Sequence, residues 1–167
     1  IETDIDTLDI TNESAVHDFI VSAKPDIVFH CAGYTDVERA EIEKEKAEQI
    51  NFYGTQNIAK SCAKSDSLVV YISTDYVFDG KKTSPYTPND KPNPINTYGL
   101  TKYMGEKAVQ KYCKKYYIVR TSWLYGLYGN NFVEKMLYLN SDNPGKVVND
   151  QTGCPTWTVD LSNGIIK

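Results

Sequence analysis

Apolar residues along the chain follow two different periods. At 26–31, at 67–72 and at 116–120 they form continuous runs rich in β-branched and aromatic side chains, four to six residues long. Such runs are the pattern of strands buried on both faces of a parallel sheet. Between them the apolar positions recur at helical spacing. Thr11 or Asn12 can cap a helix over 13–21 after a short extended segment. A long helix is predicted over 43–65, with Ala47, Ile50, Gly54, Ile58 and Cys62 as its inward stripe, and another over 98–112. Asn131 opens a further helix that should end near Asn140 and Ser141, Lys146 to Val148 reads as a short strand, and a last helix starts at Thr158. Residues 79–97, with Pro85, Pro88, Pro92 and Pro94, read as a loop. Strands alternating with helices predict an α/β fold in which helices cover both faces of a parallel sheet.

The strand at 67–72 runs into Ser73, Thr74 and Asp75, and the carboxyl ends of such strands present side chains to ligands. Tyr98 and Lys102 stand four residues apart at the start of the next helix, so a phenol and an ammonium share one helical face. A tyrosine titrates near ~10, and a neighbouring cation would lower that value toward the range where the phenol exchanges a proton. Thr74 could hold a substrate oxygen that Tyr98 protonates, a set suited to reducing a carbonyl or oxidising an alcohol. The competing reading is a surface Tyr and Lys on an amphipathic helix.

The run from Ser73 to Gly80, the Tyr98/Lys102 pair and the run from Arg120 to Gly126 together resemble the extended short-chain dehydrogenase/reductase family. The resemblance continues in order through His30 to Thr35, Asn130 to Val133 and Asp150 to Thr156. It implies a Rossmann-like, doubly wound parallel sheet, incomplete at both ends. Residues 1–167 would form one partial NAD(P)-binding domain, with the start of the substrate-binding part from about residue 121. A Gly-rich turn would lie upstream and the rest of a smaller lobe downstream.

The activity implied is NAD(P)H-dependent reduction of the C4 ketone of dTDP-4-dehydro-6-deoxy-L-mannose to dTDP-L-rhamnose, with NADPH (or NADH) as cofactor. Thr74, Tyr98 and Lys102 would be the catalytic set. Asp9, Ile10, Cys31, Ala32, Gly33, Tyr34, Thr35, Asn51, Ser73, Tyr98 and Lys102 would line the cofactor. Thr74, Asp75, Val77, Phe78, Tyr98, Trp123, Asn131, Phe132 and Gln151 would line the nucleotide sugar. Asp9 either meets adenine or caps the following helix, Trp123 is either a core aromatic or a platform over sugar or base, and Asn51 braces the active-site backbone. The resemblance leaves two other functions open: a nucleotide-sugar epimerase or dehydratase, and a non-catalytic dinucleotide-binding subunit like the regulatory one of methionine adenosyltransferase.

Composition narrows the setting. Of 167 residues, 41% are hydrophobic, enough for one sizeable core. The net charge of −4, with both signs interspersed, argues against nucleic acid or an anionic membrane as partner. No apolar run approaches the ~18 residues of a membrane span. Cys31, Cys62, Cys113 and Cys154 are widely spaced and, with His17 and His30, make no metal-ligand pattern. Free thiols in a reducing cytoplasm, no metal site and a possible homodimer are the expectations.

Overall fold

A computed structural model describes residues 1–129, 131–139, 144, 145 and 147–167. The chain forms two compact units, Ile1–Arg120 and Thr121–Lys167. In the first, α1 (Glu13–Ala23) leads into β1 (Ile27–His30), two short helices α2 (Val37–Ala40) and α3 (Lys44–Glu48), a π-helical turn (Gln49–Gly54) and α4 (Thr55–Ser65). Then come β2 (Leu68–Thr74), a 3-10 turn (Asp75–Val77), α5 (Thr97–Tyr112) and β3 (Tyr116–Thr121). The sheet order is β1-β2-β3, with β1 and β2 parallel in the register Ile27 with Leu68 to His30 with Tyr71. This is the expected parallel α/β architecture, and solved relatives share it.

Asn12 caps α1, its side chain accepting from Ala15 N at 3.1 Å. Asp9 instead ties the preceding turn, accepting from Thr11 N and Oγ1 at 2.9 and 2.8 Å, so it does not cap the helix. The core joins Val16 and Ile20 of α1, Ile58, Ala59 and Cys62 of α4, Val69 and Tyr71 of β2, and Val109 and Cys113 at the end of α5. Each buried aliphatic side chain of this kind contributes roughly 1.5–3 kcal/mol.

Two expectations for this unit are corrected. The helix over 43–65 is one path in three segments, α, π and α, because the π turn inserts around Asn51. The stripe still faces inward, and Gly54 is required there: a Cβ would come within 2.7 Å of Ile10. β1 is buried on one face only, with Ile27 and Phe29 on the open face at 45% and 50% exposure. Continuous hydrophobicity does not reveal which face of a strand is covered.

The second unit pairs two short parallel strands, β4 (Leu124–Tyr125) and β5 (Thr156–Trp157), with α6 (Phe132–Leu137) and α7 (Thr158–Ile166). Asn131 caps α6, accepting from Glu134 N at 2.9 Å. The predicted helix end at Asn140 and Ser141, together with Asn130 and Lys146, lies outside the described residues. Val147 and Val148 are exposed and form no strand, since neither has a ladder to join. The pairing of β4 with β5 was not foreseen, because two residues are too few to show a period.

Candidate active site

β2 delivers Ser73 and Thr74 to its carboxyl end with opposite orientation, as strand alternation requires. Ser73 turns inward and donates to Glu106 Oε1 at 2.7 Å, so its hydroxyl faces the core and not a cofactor. Thr74 is 4% exposed, donates to Asp75 Oδ1 at 3.1 Å and accepts from Tyr76 N at 3.2 Å as the chain enters the 3-10 turn. Asn96 caps α5, accepting from Gly99 N at 2.7 Å, which starts the helix just before Tyr98. Gly99 lies against the backbone of Tyr76, where a Cβ would overlap the carbonyl, so the start of α5 packs directly on the turn after Thr74.

Tyr98 is partly buried, its ring meeting Tyr76 edge-on at 5.6 Å. Burial pushes the Tyr98 phenol up, the Thr74 hydroxyl beside it pulls the other way, and Asp75 and Tyr76 add to the rise. Lys102 is 4% exposed, and its ammonium donates to the Ile72 carbonyl at 2.7 Å and sits 4.3 Å above the Tyr71 ring. Burial lowers Lys102 to about 8, against the opposing influences of Glu106 and Cys31. The expected effect of Lys102 on Tyr98 therefore does not dominate. The ammonium is committed to β2, and desolvation decides the phenol's pKa.

The loop after β1 approaches from the other side. A Cβ on Gly33 would stand 3.2 Å from Asn51 Oδ1 and 3.6 Å from Lys102 Nζ, so glycine lets this loop pass close to the ammonium. Asn51 holds Tyr34 at both ends of its backbone, accepting from its N–H at 2.8 Å and donating to its carbonyl at 3.1 Å, and donates also to Thr101 Oγ1 at 3.1 Å. Both amide N–H groups are thereby used, and the side chain braces rather than offers donors to a ligand. A shallow depression of 240 Å³ beside it is lined by Gly33, Tyr34, Thr35, Asp36, Arg39 and Lys46. Cys31 and Ala32 are exposed at the start of the loop.

Other predicted contacts resolve differently. Ile10 packs in the core against Gly54 while its carbonyl accepts from Asn57. Val77 is fully buried, its carbonyl accepting from Asn93 N, and Phe78 is stacked on Tyr86 at 4.2 Å. These apolar side chains pack into the core and around the turn that carries Asp75. In the second unit Trp123 adopts a left-handed backbone (φ +47), lies within 2.8 Å of where a Cβ on Gly153 would be, and packs on Phe132 at 6.2 Å. It is half-buried, so both of its readings keep part of the ring. Asn131 donates to the carbonyls of Gly126 and Gly129, and Gln151 is exposed.

One residue of the site, Glu106, is not singled out by the sequence reading. Glu106, fully buried, accepts from Arg120 Nε at 2.8 Å and Nη2 at 2.7 Å. Its position four residues beyond Lys102 and eight beyond Tyr98 was the available signal, a carboxylate on the face that carries the chemistry. Among the described residues no group of acidic, His or Cys side chains is arranged to hold a metal ion.

A parallel α/β sheet that gathers a hydroxyl, a phenol and an ammonium beside a glycine-containing strand-end loop defines a dehydrogenase/reductase type of domain. The chain belongs to the family described as RmlD substrate binding domain, whose model matches residues 1–167. It is 42% identical over 166 residues to a dTDP-4-dehydrorhamnose reductase of Aggregatibacter actinomycetemcomitans, covering 98% of this chain and 56% of the relative. A crystal structure of a dTDP-4-dehydrorhamnose reductase from Clostridium acetobutylicum superposes with TM-score 0.95 at 46% identity, covering 99% of this chain and 59% of that one. The enzyme of the same name from Bacillus anthracis, solved in complex with NADP, gives 0.94 at 46% identity over 98% of this chain and 59% of that one. The chain thus spans about half the length of the curated relatives it matches.

Proposed function

We propose that the protein carries the reaction centre of an NAD(P)H-dependent reductase that converts dTDP-4-dehydro-6-deoxy-L-mannose into dTDP-L-rhamnose. The observation that carries this reading is the convergence of Thr74, Tyr98 and Lys102 at the end of β2, within reach of the Gly33 loop. The relatives named for this reaction support the choice of substrate. The narrow approach at Gly33 and the ammonium protons that Lys102 does not give to Ile72 fit a ribose edge and a flat nicotinamide ring.

Bound NADPH supplies the two electrons and the hydrogen that reach the sugar's C4. Thr74 orients the C4 oxygen by hydrogen bonding. Tyr98 delivers its phenolic proton to that oxygen as the carbonyl becomes an alcohol, and then recovers a proton from solvent. The raised pKa of Tyr98 keeps the donor protonated at neutral pH, the form that reduction needs. Lys102, still largely ammonium below about 8, offsets the negative charge left on Tyr98. Asn51 holds the loop at Tyr34 so that this geometry exists before ligands arrive.

The break between the two compact units after Arg120 supports a division into a partial dinucleotide-binding domain and the start of a substrate-binding part from about 121. The free thiols Cys31, Cys62, Cys113 and Cys154 support a cytoplasmic setting. Among the described residues no helix is long and apolar enough to cross a membrane.

The test is stoichiometric. Given the ketosugar and NADPH, the full-length polypeptide should consume one NADPH per sugar reduced. Conversion of the sugar with no loss of reduced-nicotinamide absorbance would overturn the reading in favour of an epimerase.

A further inference from the structure

Glu106 is a carboxyl side chain with no exposed surface, and such a group persists in a protein interior only if its partners replace water. It has them: two N–H donors of Arg120 in a bidentate pair and the hydroxyl of Ser73. These partners come from two elements, β3 and the end of β2, while Glu106 itself stands on α5. Ser73 is the residue immediately before Thr74, and Lys102 lies one helical turn before Glu106 on the same face. A stabilising pair without function could sit anywhere in the core, and apolar residues of similar size would serve as well. This one touches the backbone support of Thr74 and the electrostatic surroundings of Lys102 together.

We propose that Glu106, held by Arg120, is a positioning residue for the reaction centre: it anchors the carboxyl end of β2 through Ser73 and keeps the Lys102 side chain in its ammonium form. The inference rests on the reductase reading for its consequence in turnover, although its electrostatic half can be measured without turnover. The groups around Lys102 are His30 and Cys31 at the end of β1, the Tyr71 ring and Ile72 carbonyl on β2, and Glu106 on α5, with Arg120 of β3 paired to Glu106. His30 is held neutral by burial, with the nearby Lys102 charge acting the same way. The Cys31 thiol, on a residue exposed overall, is pushed up by the partial desolvation of its sulfur, with the Lys102 charge acting the other way. Glu106 is therefore the carboxylate that opposes desolvation of the ammonium. Without it, the lysine would lose its proton closer to neutral pH.

The experiment uses the full-length protein with 13Cε-labelled lysine, the Lys102 resonance being assigned by its loss in Lys102→Arg. In the wild type the resonance should titrate near 8. In Glu106→Gln the midpoint should fall by about one pH unit, and the alkaline limb of kcat/KM for ketosugar reduction should fall with it. Should Glu106→Gln not fold, Glu106→Met removes the carboxylate alone and keeps the volume, leaving the partly exposed Arg120 side chain to water, and the same fall is expected. Ser73→Ala removes one hydroxyl and no charge. It should leave the Lys102 midpoint in place but lower kcat about tenfold, with KM for NADPH within about twofold, because only the placement of Thr74 is loosened. A folded Glu106 variant whose Lys102 midpoint stays within about 0.3 of the wild type overturns the electrostatic role, and wild-type kcat in Ser73→Ala overturns the anchoring role. A wild type that does not reduce the ketosugar would instead overturn the reductase reading, while the resonance would still decide the electrostatic half.

Discussion

The two compact units treat polar groups and apolar surface in opposite ways. In Ile1–Arg120, His30, Asn51, Thr74, Lys102 and Glu106 are all buried, each with hydrogen-bond partners drawn from other elements. In Thr121–Lys167 no described residue is fully buried, and Leu127, Tyr128, Leu137 and Ile166 expose 91%, 93%, 80% and 74% of their surface. The contrast follows from element length. A seven-residue strand and a sixteen-residue helix can bury a face and carry polar groups on it, whereas two-residue strands and a six-residue helix cannot enclose a core. Catalytic geometry depends on side chains locked by packing and by hydrogen bonds around them. Only the first unit supplies that by itself.

The largest effect is expected from removing one oxygen atom from the first unit. Tyr98→Phe keeps the ring against Tyr76 but deletes the proton donor. Under the proposed reductase activity, turnover of the full-length protein should fall ~10²–10⁴-fold while the dissociation constant for NADPH changes little. A variant retaining a third of wild-type turnover would remove Tyr98 from the role of acid.

Acid should act first on the buried unit. The His30 ring donates from Nε2 to Thr55 Oγ1 at 2.8 Å, because the Thr55 hydroxyl already donates to the Asn51 carbonyl. Its Nδ1 has no partner among the described residues. Burial, with Lys102 adding to it, holds the imidazole neutral down to about 3 against 6.5 for the free side chain. Below 6.5 the unfolded chain therefore takes up a proton that the folded one refuses, and stability present at neutral pH is lost progressively as pH falls toward 3. In urea unfolding, His30→Gln should flatten the dependence of stability on pH across this window by up to about 1.4 kcal/mol per pH unit. Parallel curves for variant and wild type would show that His30 titrates normally.

Two glycines sharpen the same contrast on a smaller scale. Gly105 in α5 faces Tyr71 and the Asn51 carbonyl, where a Cβ would come within 2.7 Å of the backbone oxygen. Gly105→Ala should destabilise the fold by about 1–3 kcal/mol through overpacking. In α7, a Cβ on Gly164 would meet nothing within 4 Å. Gly164→Ala should be neutral or stabilising by ~0.5–1 kcal/mol, from helix propensity alone. Thermal denaturation of both variants checks the pair, and equal and opposite surprises would mean that the second unit is the tightly packed one.

The amino-acid sequence alone determined what local periodicity can encode. That includes the order of strands and helices in the first unit, a helix cap at Thr11 or Asn12, the placement of Thr74 at a strand end, and the shared helical face of Tyr98 and Lys102. The resemblance of its motifs identified the family. Tertiary structure decided what each of those side chains meets. Alternation along β2 says that Ser73 and Thr74 point to opposite sides, but only the packing of α5 makes the Ser73 side the core. Helical spacing brings Lys102 beside Tyr98. The carbonyl of Ile72 and the ring of Tyr71, brought there by the fold, then fix where the ammonium sits. Glu106 meets Arg120 across 14 residues of chain, and the π turn at Asn51 depends on partners 17 and 50 residues away. Desolvation and pairing are set by the atoms across from a group, and those atoms are brought there by the fold rather than by neighbouring positions in the chain.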